Sequence, residues 1–141
     1  MDIQQTDKCV IILDETLPAG LLANTAAILG ITIGKIRPDI VGPDIEDHSG
    51  KVHRGITALP IPILRGNPSM IKELLARLYE PEFDQVAVVD FSQLAQTCNH
   101  YSEYMEKLAL NDMTDLTYIG IGLCGPKKKI NKLTGGIPLL R

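Results

Sequence analysis

Three side chains combine a reactive type with a setting that suits acid–base chemistry. His53 stands in Gly50-Lys51-Val52-His53-Arg54-Gly55, where glycines permit close ligand approach and an imidazole titrates near neutrality. Its plainer alternative is a solvated histidine in a polar loop. Asp90 ends the apolar run Val86-Ala87-Val88-Val89, where desolvation raises a carboxyl pKa and suits it to act as a general base or to orient a water. The competing role is to help cap a helix that starts near Ser92. Asn24 falls in an alanine-rich helical run; an amide buried there needs a partner, so it either lines a pocket or satisfies a neighbouring loop.

Other reactive groups carry less. Asp47, His48 and His53 have neither a fourth ligand nor a recognised spacing, so no metal site is expected, and no cofactor motif is present. Cys124 precedes Gly125-Pro126 and a helix start whose dipole can stabilise a thiolate, although a packed, inert thiol is the simpler reading. Lys127, Lys128, Lys129, Lys132 and Arg141 form the one dense basic patch, either a phosphate site or a solvated helix face.

The elements that must position these groups follow from composition and pattern. The 141 residues suit one domain spanning the chain, with 45% hydrophobic and 22% charged residues. A net charge of -3 provides no general attraction for nucleic acid, so such contact would be local to the C-terminal lysines. Aromatics at 4% and the lack of Trp argue against base-stacking platforms. Three widely spaced cysteines fit neither a disulfide framework nor a zinc ribbon and point to a reducing cytoplasm. Only the first few residues read as a loose tail, and Met1 to Lys8 lacks the basic-then-apolar pattern of an export signal. Leu17 to Gly34 contains Pro18, Asn24 and three glycines, so it reads as a buried helix and not as a membrane span.

Strands are predicted at Cys9–Leu13, Ile56–Leu64, Gln85–Phe91 and Thr117–Leu123. Pro60 and Pro62 push the second to an edge, open to pairing. Helices are predicted from Thr16 as cap through Leu29, from Asn67 or Ser69 to about Tyr79, from Ser92 to about Leu110, and from Lys127 to Thr134. Residues 37–55 read as a loop or irregular hairpin turning at Asp47-His48-Ser49-Gly50. Alternating strands and helices predict a mixed, mostly parallel sheet of about four strands, sandwiched between helices in three α/β/α layers. Asp14, Glu15, Asp90 and Cys124 follow the ends of such strands, where ligands commonly bind.

The closing segment Gly120-Ile121-Gly122, Gly125-Pro126 and Ile130-Asn131-Lys132-Leu133-Thr134-Gly135 resembles the signature of the type 2 peptidyl-tRNA hydrolases. Leu17-Pro18-Ala19-Gly20-Leu21-Leu22-Ala23-Asn24, Asp47-His48-Ser49-Gly50 and Leu139-Leu140-Arg141 resemble a bacterial group, domain of unknown function 2000, assigned to the same fold. The resemblance implies that architecture, and by position it carries over Asp90 and Lys8. The hydrolases bear lysines, a Gln and a His in the first loop and helix, whereas Thr16 to Gly34 contain none of these. The expected function is therefore a small hydrolase or small-ligand-binding protein with Asn24, His53 and Asp90 near one pocket. Lys8, Lys127 and Lys132 would be its ligand-binding groups. The alternatives are a non-catalytic binding or oligomerising scaffold, such as a homodimer joined through a sheet edge or apolar helix face, and a peptidyl-tRNA hydrolase.

Overall fold

The computed structural model describes residues 6–141, so most of the expected N-terminal tail lies outside it. Strand β1 (Asp7–Asp14) is buried from Cys9 onward, as its β-branched run requires. Helix α1 (Ala19–Ile36) follows Pro18 at its cap position, with no side-chain cap. The expected capping by Thr16 does not occur, because its hydroxyl donates to Asp14 Oδ1 at 2.7 Å instead. Nor is α1 buried throughout. Only Thr25, Leu29 and Ile33 are fully covered, the stripe that one helical face can present to a sheet.

The irregular hairpin is a two-stranded arm of β2 (Ile45–Glu46) and β3 (Val52–His53), antiparallel, with Ile45 opposite His53. Its turn passes through Gly50 at φ 86°, a left-handed conformation that glycine adopts without strain. The second main-sheet strand, β4 (Ile63–Gly66), starts only after Pro62 and lies at an edge. That edge is not open. Arg65 N donates to Pro138 O at 3.0 Å and Leu140 N to Ile63 O at 2.9 Å, so the C-terminal segment covers it.

Helix α2 (Pro68–Leu78) is capped by Asn67, whose side chain accepts from Met70 N at 2.9 Å. It buries Ile71, Leu74, Leu75 and Leu78, the predicted face. Strand β5 (Ala87–Ser92) follows. The single helix expected after it is two, α3 (Gln93–Thr97) and α4 (Tyr101–Ala109), broken at Cys98-Asn99-His100. Strand β6 (Tyr118–Pro126) continues through the predicted turn at Gly125-Pro126, and α5 (Lys127–Thr134) closes the fold with the predicted bounds.

The main sheet has the order β4-β1-β6-β5. Pairing is parallel between β1 and β4 but antiparallel in β1–β6 and β5–β6, which corrects the mostly parallel expectation. The cause lies between β5 and β6. Gln93 N donates to Thr117 O at 2.8 Å, so α3 and α4 leave and return at the same end of the sheet. They form an excursion rather than a crossover, and β6 runs back between β1 and β5. Cys124 consequently lies inside β6, near the opposite end of the sheet from Asp90 and Asp14.

Side chains alternate across the sheet and seed two hydrophobic clusters. Val10, Ile12, Ile121 and Leu123 pack with α2 and with Ile130 and Leu133 of α5. Cys9, Ile11, Leu13 and Cys124 pack with Leu29 and Ile33 of α1. Each fully buried Leu or Ile contributes about 1.5–3 kcal/mol of transfer free energy. Close approach of α1 depends on two glycines of β6. A Cβ at Gly120 would lie 2.7 Å from Thr25 Cγ2, and one at Gly122 would lie 2.6 Å from Ile33 Cδ1.

Candidate functional site

Asp90 sits on the outermost strand of the main sheet, half-buried, with a cavity on each side. By strand alternation it shares a face with Val88. On that face lies a cavity of about 360 Å³ lined by Leu75, Leu78, Tyr79, Phe83 and Val88. Asp90 also borders a cavity of about 390 Å³ lined by Ile28, Thr32, Phe91, Cys98, His100 and Tyr104. The break between α3 and α4 creates the second cavity's polar wall. In a continuous helix Cys98 and His100 would follow the helical face; in the loop both border the space beside Asp90.

The break has a local cause. Thr97, Cys98, Asn99 and His100 are all indifferent helix formers. Glu103 then reaches back to accept from Asn99 N at 3.3 Å, which starts α4 afresh. At the other end of the segment, Ser92 Oγ accepts from Ala95 N at 3.2 Å and caps α3. The capping role considered for Asp90 is thus held by Ser92. A register shift between Phe91 and Ser92 bends the strand just after Asp90.

Burial pushes the Asp90 carboxyl above the ordinary carboxylate range, with no cation or hydrogen bond offsetting it. Its neighbours respond. Burial pushes the Tyr118 phenol up to about 12, with the Asp90 charge contributing. Burial and then the Asp90 charge raise the Tyr104 phenol as well. This carboxylate is therefore a good proton acceptor beside an open volume, the property required of a general base. A cysteine, a histidine and a tyrosine border the same space.

The other expected residues do not gather around Asp90. Asn24 is exposed on α1, and neither it nor His53 lines the two cavities that Asp90 borders. The buried polar side chain of α1 is its neighbour Thr25, whose Oγ1 has no hydrogen-bond partner. His53 is exposed in the arm, its Nε2 2.7 Å from Asp47 Oδ2. Asp47 also accepts from Ser49 N at 2.8 Å and Lys51 N at 3.1 Å, and these contacts, His53 foremost, hold its carboxyl well below the usual range. His53 thus supports a turn organised by Asp47.

Lys8 and Lys127 do share a cavity, of about 220 Å³, with Asp7, Leu59, Pro60 and Pro62. Lys8 Nζ donates to Asn131 Oδ1 at 2.8 Å. Lys132 is elsewhere, paired with Glu82 and 6.0 Å from the centre of the Phe83 ring. Among the described residues no group of three or more His, Cys, Asp or Glu side chains is placed to hold a metal ion. Cys98, His100 and Tyr104 were missed as site residues because residues 92–110 read as one continuous helix, which hides the break that brings them beside Asp90. The signal for the break was Glu103 after a run of weak helix formers.

A protein of unknown function from Agrobacterium tumefaciens has a similar solved structure, with a TM-score of 0.85 over 95% of this chain and 97% of that one. The identity is 19%, so the likeness concerns the fold alone. No curated protein matches the chain. The model of the family described as protein of unknown function, DUF2000, matches residues 7–141, and the chain belongs to that family.

Proposed function

We propose that this protein is a small hydrolase whose catalytic base is Asp90, on a three-layer scaffold of the peptidyl-tRNA hydrolase-like kind. The observation that carries the reading is a half-buried carboxyl, raised by burial and without an offsetting partner, that borders two cavities. In the proposed reaction Asp90 takes a proton from a water, and the oxygen of that water attacks an ester or amide carbonyl. The intermediate collapses with release of the alcohol or amine, which leaves with the proton from Asp90. His100 and Tyr104 offer polar contacts to the bound substrate in the same cavity.

The test is hydrolysis of a panel of small nitrophenyl esters and anilides by purified protein and by Asp90→Asn. The reading expects a loss of about 100-fold or more in kcat/KM for the variant. It also expects a rate limb that titrates above the ordinary carboxylate range. Wild-type protein that hydrolyses none of them above buffer ends the catalytic proposal.

The position of Asp90 on a sheet edge favours a second reading, a non-catalytic binding module. Peptidyl-tRNA hydrolysis itself receives less support. The run Thr16 to Gly34 lacks Lys, His and Gln, and the basic groups that share a cavity, Lys8 and Lys127, border a different one from Asp90.

A further inference from the structure

The two edges of the main sheet are treated differently. The β4 edge is sealed by Pro138 to Leu140 through the backbone bonds described above. The β5 edge has no such cover: among the described residues, no backbone bond joins Ala87 to Phe91 with any segment beyond β6. Edge strands are usually blunted by proline, lysine or shortness. Ala87-Val88-Val89-Asp90-Phe91-Ser92 has neither proline nor lysine, and its only charge is Asp90.

Each side of this bare edge carries a cavity, and the two alternate with the strand's side chains. Val88 and Asp90 face the space beside Leu75, Leu78 and Phe83. Val89 and Phe91 face the space beside Ile28 and Thr32. That is the geometry by which an added strand is held, through main-chain hydrogen bonds along the edge and alternate side chains in pockets above and below. We propose that β5 is a docking strand for an extended peptide of a partner, bearing a lysine or arginine opposite Asp90 and apolar residues on either side.

Charge selects this occupant over a second copy of the chain. Pairing β5 with another β5 would put two Asp90 carboxylates on one face of the joined sheet, like charge near like charge. A cationic side chain instead supplies the partner that Asp90 lacks and offsets its desolvation. The inference rests on the reading of Asp90 as the centre of the site, and it names the ligand class.

The test is selection of peptides from a random displayed library on immobilised full-length protein, followed by synthesis of the selected sequences. Selected peptides are expected to alternate apolar residues around one fixed Lys or Arg. Asp90→Lys, folded by circular dichroism, should weaken them at least tenfold and shift selection towards Asp or Glu. Because that variant can fail to fold, the peptide supplies a second arm. N-methylation at alternate positions should abolish binding on the edge facing β5 and spare it on the other. Amide exchange at the β5 N–H groups that point away from β6 should be fast in the free protein and slow with peptide bound. Selection of no peptide overturns the proposal, leaving Asp90 as a charge that only protects the edge. Peptides without a cation, affinity indifferent to Asp90→Lys, or β5 amides already protected by a dimer in the free protein also overturn it. Peptide binding without ester or anilide hydrolysis keeps the docking strand and removes the hydrolase; the converse does the opposite.

Discussion

Cys9 lies directly opposite Cys124 in the antiparallel register of β1 and β6, and the Arg37 guanidinium reaches the Cys124 sulfur at 3.7 Å. The same guanidinium binds Asp7 at 2.8 Å and Asp39 at 2.7 Å, so one side chain joins the end of α1 to the sheet. The neighbouring Cys124 thiol and then burial push Cys9 up, while Cys9 and the Arg37 charge pull Cys124 down. Both are fully buried, and Cys98 is partly accessible. A thiol reagent such as a nitrobenzoate disulfide should therefore react with Cys98 alone in the native protein and with all three cysteines after unfolding. Arg37→Met should destabilise by roughly 1–2 kcal/mol, by stranding Asp7 and the buried sulfur. Arg37→Lys should not restore this, because an ammonium cannot bridge three acceptors in one plane. Fast native labelling of Cys124 would contradict the arrangement.

Asp90 should leave a sign in the pH dependence of stability. Its folded pKa is raised by burial above the unfolded value. A group shifted that way imposes no penalty below the unfolded pKa, and the fold loses stability as pH rises through the folded pKa. Asp90→Asn should therefore be more stable than wild type at pH 7, with the difference fading as pH falls through the carboxylate range. Urea denaturation at a series of pH values measures it. A destabilised Asp90→Asn at neutral pH would mean that the carboxylate has a partner in solution.

The contact between α1 and β6 admits little extra volume. Gly120→Ala should cost about 1–3 kcal/mol by forcing its new Cβ against Thr25 Cγ2. Thr25→Ser removes that methyl, so the double variant should recover part of the loss. A double-mutant cycle reads the coupling directly. Additive losses would show that the strain lies elsewhere, against Leu13 or Leu29.

Asn24 and His53 provide controls. Both are exposed and line neither cavity beside Asp90, so Asn24→Ala and His53→Ala should change global stability by no more than about 0.5 kcal/mol. Neither should alter any activity or binding that depends on Asp90. A tenfold effect of either on such activity would require the arm or the outer face of α1 to approach β5 in the working protein.

Local rules carried much of the fold. The β-branched run at Val10 to Leu13, the Asn67 cap with its helix, and Lys127 to Thr134 before Gly135 each express a preference that tertiary packing reinforces. Strand direction was not legible, because it depends on where a connection ends. The residues of α3 and α4 have helical spacing in either topology, and only the meeting of Gln93 with Thr117 makes them an excursion. The site was half legible. Asp90 stood out as a charge after an apolar strand, while the setting of Cys98 and His100 required a helix break that their periodicity concealed. Asn24 was misread because alanine and glycine around it suggested a covered helix, although small side chains also suit an exposed face.

The bond between Gln93 and Thr117 makes residues 93–117 a segment whose ends meet. Lengthening such a closed segment costs little entropy, about 0.6 kcal/mol for each doubling, and leaves the strand register undisturbed. One wall of the Asp90 cavity can accordingly change in size and chemistry while the carboxylate stays fixed to the sheet. Exchange of this segment between homologous chains would change what the cavity admits while the scaffold remains constant.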